Sequence, residues 1–245
     1  MTATSGEARS FADLHCHSSS SFDSLADPGA MMAKAVRLGL THLAITDHER
    51  IDGAQAAAEA APAELQVIVG EEVRTADGDM LGLFLQQVIP PGLSAAETAA
   101  AIREQGGLVG LPHPFDSHRS SGGSQAGAVD QKLESLAAMV DYVETHNARA
   151  YRDANPLAGA FAERHGLPGV ASSDAHSITE VGVASTVLPG RFATAEELRA
   201  LLPHAEIVRG RASYYVRLWT PLAKLVNRLK GNGRIQPASA EQGSP

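Results

Sequence analysis

Five short apolar runs in this chain each lead into a cluster of imidazoles and carboxylates, and no other feature constrains the fold as much. The clusters are Asp13-Leu14-His15-Cys16-His17, Thr46-Asp47-His48, Gly70-Glu71-Glu72, Pro112-His113-Pro114 and Ser173-Asp174-Ala175-His176. Each run reads as a β-strand. In an extended chain alternate side chains share a face, so His15 and His17 should converge on one point while Leu14 and Cys16 face the other way. Asp23 follows six residues later. Ligand-type residues delivered by the ends of several strands around one mouth are the signature of a β/α barrel.

The segments between the runs have readable helix ends. Asp27-Pro28 supplies an N-cap and a proline at the first helical position of a helix that should stop near Gly39. Ser94-Ala95-Ala96-Glu97 and Thr194-Ala195-Glu196-Glu197 are capping boxes. A helix over 152–165 should turn Leu157 and Phe161 inward, and Asp77-Gly78 marks a turn before a strand over 80–85. Strand and helix alternate at least six times, which predicts an α/β fold with a mostly parallel sheet, and 245 residues suit one barrel. The expected organisation is a disordered 1–9, a hydrolase domain over 10–212, a basic helix over 213–230 and a disordered tail over 231–245. The Ser/Gly-rich stretch 116–127, with His118 and Arg119, reads as a mobile loop over a site.

No run of eighteen apolar residues is present, and the first ten residues lack the basic and apolar parts of a secretory signal. With a single cysteine, Cys16, these features predict a cytoplasmic protein without an intrachain disulfide. A net charge of −8 argues against binding nucleic acid by bulk electrostatics, and the absence of a Gly-rich phosphate loop argues against nucleoside triphosphate or NAD chemistry. One segment runs against the acidic average. From Arg209 to Arg234 there are seven basic residues and no acidic one, threaded by Tyr215, Leu218, Leu222, Leu225, Val226 and Leu229. Packing of this amphipathic helix on the barrel is the favoured reading, ahead of contact with a membrane surface or an RNA backbone.

Imidazoles and carboxylates without thiolates suit Mn²⁺, Fe²⁺ or Zn²⁺, and the ligands are too many for one ion, so two or three are expected. Ions about 3.5–4 Å apart can generate a bridging hydroxide nucleophile and clamp a phosphoryl group in line, which makes phosphate-ester hydrolysis the natural reaction. Arg119 and Arg149 could grip the outer phosphate oxygens.

Taken together and in order, the five clusters resemble the motifs of the PHP (polymerase and histidinol phosphatase) family, over about residues 11–210, in its short stand-alone form. The resemblance implies a distorted seven-stranded β/α barrel with a trinuclear centre at the C-terminal ends of the strands. It implies that His15 and His17 bind one metal with bridging Glu72 and Asp174, and that Glu72 reaches a second metal held by His113. Asp23, His48 and His176 would hold the third. The Gly-x-Glu spacing selects Glu72 over Glu71. A histidine often found after that motif is replaced here by Asp79 or by nothing; His146 is set aside, because Asn147 and Arg149 carry the likeness of their segment. Glu72, Asp174 and His176 are the expected catalytic residues, with Asp47 as the other candidate to pass a proton to the leaving group. The implied substrates are small phosphorylated molecules, among them nucleoside 3′,5′-bisphosphates, short RNA 5′ ends or histidinol phosphate. A lactonase or phosphotriesterase on the same centre, and a noncatalytic metal-stabilised module, are the alternative readings.

Overall fold

The computed structural model describes residues 8–116, 128–151, 153–213, 215–216 and 219–237, with the backbone alone over 128–132. A single nine-stranded sheet forms the body. Its strands are β1 (Ser10–Asp13), β2 (His42–Ile45), β3 (Gln66–Arg74), β4 (Asp79–Leu83), β5 (Leu108–Leu111), β6 (Tyr142–Asn147), β7 (Gly169–Ser172), β8 (Ser185–Leu188) and β9 (Glu206–Val208). They lie in the order β7-β6-β5-β4-β3-β2-β1-β8-β9.

Nine strands replace the expected seven, and the sheet is mixed. The pairs β1–β2, β2–β3, β5–β6 and β6–β7 are parallel, whereas β3–β4, β4–β5, β1–β8 and β8–β9 are antiparallel. For β3 and β4 the reason is connection length. Between β3 and β4 the chain turns back at Gly78, whose carbonyl accepts from the Thr75 backbone N–H at 3.0 Å, and so short a link cannot cross over to a parallel neighbour. Between β7 and β8 the sheet closes through a side chain. The Thr186 hydroxyl accepts from the Ala171 N–H at 3.0 Å and donates to the Ala171 carbonyl at 2.9 Å. Further along, Cys16 bridges Ala175 in parallel fashion, completing the ring.

The inside of the barrel is dry at one end. Ala12, Ala44, Ile68, Leu108, Val170 and Leu188, one from each of six strands, pack in one cluster. Phe192, with Leu198 and Leu202 from α6 (Ala195–Leu201) and the turn after it, floors this cluster. Burying such a leucine stabilises by about 1.5–3 kcal/mol. Tyr142 fits the interior because Gly110 stands opposite; a Cβ there would lie 2.3 Å from the Tyr142 ring. With that end sealed, ligands can enter only at the other, where the parallel strands terminate.

Helices coat the outside. α1 (Pro28–Arg37) is capped by Asp27, whose carboxylate accepts from the Ala30 N–H, and Gly39 follows it at φ +78°. With α2 (Asp52–Glu59) it covers β2 and β3 through Met31, Ala35, Ala54 and Ala57. α3 (Ala95–Glu104), α4 (Ala128–Ala137) and α5 (Ala154–His165) cover β4, β5 and β6. Ser94 and Thr194 form the capping boxes of α3 and α6. Phe161 is buried as expected, but Leu157 is 50% exposed and does not face inward, because α5 starts at Ala154 and presents Ala158, Phe161 and Ala162 to the sheet.

The C-terminal segment is a strap. α7 (Trp219–Leu229) buries only Ala223 and Asn227, and the Asn227 amide donates to the carbonyls of Ser21 and Ser24 at 3.0 and 2.9 Å. The leucine stripe instead looks outward, with Trp219 58% and Leu229 80% exposed. Residues 231–237, expected in a disordered tail, are held down. The Asn232 amide donates to Ser20 O and accepts from Arg50, and the Arg234 guanidinium donates to Glu49 at 3.0 Å. No helix among the described residues is long and apolar enough to cross a membrane.

Candidate metal centre

His15 and His17 lie just past β1, where regular pairing lapses before the bridge at Cys16. Leu14 packs inside the barrel and Cys16 outside against α1, so the side-chain alternation is reset between them, contrary to the expectation that they share a face. The histidines do converge: their Nε2 atoms stand 3.0 Å apart, both rings fully buried. Nδ1 of His15 is fixed by Glu144 at 2.9 Å. Glu144 also accepts from the His113 N–H and from the Asn147 amide, each at 3.0 Å, and that amide reaches Asp174 at 3.0 Å. This backing carboxylate was not among the residues singled out in the sequence, although it opens the segment running to Asn147 and Arg149.

Glu72 occupies the centre. One of its oxygens lies 3.3 Å from His15 Nε2, 3.2 Å from His17 Nε2 and 3.4 Å from His48 Nδ1, and the other lies 3.2 Å from His113 Nε2. Glu71 faces the outer layer, accepts from the Ile89 N–H, and is pushed by burial up to about 8. Asp174 Oδ1 stands 3.5 Å from His17 and 3.4 Å from His176 Nδ1. Asp23 Oδ2 faces both His176 and His48, at 3.2 and 3.4 Å, and its other oxygen accepts from the Ser21 hydroxyl. All eight residues proposed as ligands from the sequence therefore meet at one mouth. Asp174 and His113 adopt positive φ, +52° and +27°, a conformation costing on the order of 1–3 kcal/mol that the surroundings must impose.

The donor set fits divalent cations. Three groups of His, Asp and Glu atoms lie within 4.8 Å of one another: His17, Asp23, His48 and His176; His15, His17 and Glu72; and His15, His113 and Asp174. His17 Nδ1 makes no hydrogen bond among the described residues. Without cations the carboxylates hold protons on two of the rings, His15 and His48, whereas burial keeps His17 and His176 below the usual imidazole range. Burial alone would keep His15 and His48 neutral, yet Glu144 and Glu72 push His15 to about 10, and Glu72 and Asp23 push His48 to about 9. Burial would raise Glu144, but the His15 ring holds it at about 2. Cys16 contributes nothing here, because its thiol sits on the outer side 3.5 Å from the Ser173 hydroxyl.

Above the cluster opens a cavity of about 320 Å³. His48, Glu72, His113 and His176 line its floor, with Asp79 at one side. Arg149 lines it as well, donating to the Thr220 hydroxyl at 2.8 Å and lying 3.5 Å from Glu180. The upper wall is Phe22 together with Thr220, Lys224 and Arg234 from the strap, none of which stood out individually in the sequence. Arg119 and the expected mobile loop lie outside the described residues. His146 points away, engaged by the Gly210 carbonyl and Asn155. Both Asp47 oxygens are taken by Ser18 at 2.6 Å, so this carboxylate anchors the serine loop instead of serving the mouth.

Known proteins share this sequence and this shape. The PHP domain family matches residues 13–109, and the PHP-associated family matches residues 152–206. Protein MJ0417 of Methanocaldococcus jannaschii, itself uncharacterized, is 34% identical over 173 residues, which are 70% of this chain and 68% of that one. A two-domain protein of Bacteroides vulgatus, containing a predicted PHP-like metal-dependent phosphoesterase, superposes with a TM-score of 0.68 at 18% identity, over 84% of this chain and 66% of that one. Endonuclease Q bound to a 27-mer duplex with an abasic lesion gives a TM-score of 0.58 at 19% identity, over 78% and 56%. At such identities the structural likeness concerns the fold, and the sequence match carries the kinship: the chain belongs to the PHP domain family.

Proposed function

We propose that this protein hydrolyses small phosphate esters, nucleotides among them, at the cluster centred on Glu72. The observation that carries the reading is Glu72 itself, one oxygen of which lies within 3.4 Å of three imidazoles and the other 3.2 Å from a fourth. His15, His17, Glu72 and Asp174 would hold one cation, Asp23, His48 and His176 another, and His113 with Glu72 a third, to which Asp79 could add an oxygen. Bound there, Mn²⁺, Fe²⁺ or Zn²⁺ would supply Lewis acidity toward the phosphoryl oxygens and an acidified water.

The chain's own groups do the rest. Glu144 fixes the tautomer and tilt of His15 through Nδ1, leaving Nε2 for the cluster. Arg149 would bind a phosphate oxygen from the side of the cavity, its guanidinium aligned by Thr220. Of the two groups considered for proton delivery to the leaving group, His176 lines the cavity and Asp47 does not. The strap roofs the mouth, which favours small esters over a long duplex.

The test is a screen of phosphomonoesters, phosphodiesters and lactones with each metal, alongside elemental analysis of protein purified without added metal. Phosphate release that depends on Mn²⁺, Fe²⁺ or Zn²⁺ is expected. Turnover of lactones alone, or no turnover with any metal, would contradict the proposal.

A further inference from the structure

The wall of the cavity contributed by the strap is built differently from its floor. Phe22, from the serine loop after β1, is flanked by two cations that arrive from the far end of the sequence: Lys224 Nζ and the Arg234 guanidinium each stand 5.2 Å from the centre of its ring. A second ring, His48, backs Phe22 at 5.1 Å. Cation–π contact of this kind orients a charge without neutralising it. The two cations differ in their partners. Arg234 is paired with the buried carboxylate of Glu49, so part of its charge is already matched. Lys224 makes no ion pair and no hydrogen bond among the described residues, although it lines the cavity above the cluster. The strap lies beyond residue 206, where the family match ends.

We propose that Lys224 is a selectivity residue that favours phosphate esters bearing a second anionic group, with Phe22 aiming its ammonium and Arg234 supporting it. This rests on the phosphoesterase reading for the position of the first phosphate. Once that phosphate is at the cluster, a second negative charge at the roof of the cavity meets an ammonium with no competing carboxylate partner. A singly phosphorylated ester of the same size leaves Lys224 to water. A lysine at an exposed rim is worth a modest factor that salt screens, not an all-or-none gate.

The probes are adenosine 5′-monophosphate and adenosine 3′,5′-bisphosphate, read both as kcat/KM with the activating metal and as calorimetric binding to the full chain. Wild-type protein should prefer the bisphosphate, and Lys224→Ala should shrink that preference about two- to fivefold, mainly through KM and Kd. Lys224→Arg should restore most of it, and raising the ionic strength should erode the wild-type preference but not the variant's. Equal weakening of both probes by Lys224→Ala would place the lysine on the reacting phosphate and overturn the inference. An unchanged preference would overturn it as well, leaving Lys224 as a mere counter-charge to the carboxylates below. The two readings fail separately: Lys224-dependent binding of the bisphosphate without hydrolysis would sink the phosphoesterase proposal and keep the selectivity one.

Discussion

The floor and the roof of the cavity are made by opposite means. On the floor, the imidazoles of His15, His17, His113 and His176 and the carboxylates of Asp23, Glu72 and Asp174 are buried, His48 is half-buried, each lies within reach of several others, and Glu144 and Asn147 hold them from behind. On the roof, Lys224 is exposed and its strap is pinned at a few points, chiefly the Asn227 amide, Asn232 and the Arg234–Glu49 pair. Dense mutual contact makes the floor sensitive to any single change. The roof should tolerate single changes more readily.

Breaking the floor should have the largest consequence. Glu72→Gln removes the charge shared by four histidines and should lower turnover by about a thousandfold, equivalent to about 4 kcal/mol, with loss of bound metal on elemental analysis. A variant that keeps full metal content and activity would show the centre to lie elsewhere. Glu144→Gln touches no substrate, yet it loosens His15, so metal affinity should fall about 10- to 100-fold while saturating metal restores much of the rate. Competition with a chelator measures that shift.

On the roof, Asn227→Ala removes the amide that donates to the buried carbonyls of Ser21 and Ser24, at about 1–3 kcal/mol. Hydrogen exchange should quicken over 219–234 and not in the barrel strands. Quickening spread evenly over the chain would mean that strap and barrel unfold as one. A smaller effect separates the regions by pH. In metal-free protein, His15 is raised to about 10, so its pairing with Glu144 stabilises fully below pH 6.5 and fades as pH climbs through about 10. Glu144, lowered to about 2, contributes above pH 4.5 and loses its contribution as pH falls through about 2. The melting temperature of the metal-free protein should therefore sag at both extremes, and Glu144→Gln should flatten the curve.

The same contrast governs what the sequence could say. His15, His17, His48 and His176 were legible because few environments gather imidazoles and acids at the ends of apolar runs. Glu72 was separated from Glu71 by the spacing of its motif, and the fold has Glu71 on the outer face. Glu144 stayed hidden because it acts through His15, and its own run of residues reads as an ordinary strand end. The direction of β4 depends on how a short connection folds back, and the antiparallel additions β8 and β9 depend on where longer connections return the chain, neither of which residue type alone dictates. Lys224 and Arg234 were visible only as members of a basic stretch. Their place over Phe22 is set by contacts reaching across about 200 residues, such as Asn227 to Ser21 and Arg234 to Glu49.

The central claim is that cations occupy the space among Glu72, His17, Asp23 and Asp174, and crystals soaked in Mn²⁺ and measured at its absorption edge address it directly. Two or three anomalous peaks should lie among these side chains, about 3.5–4 Å apart. Peaks only on the protein surface, or none at a concentration that supports activity, would contradict the account.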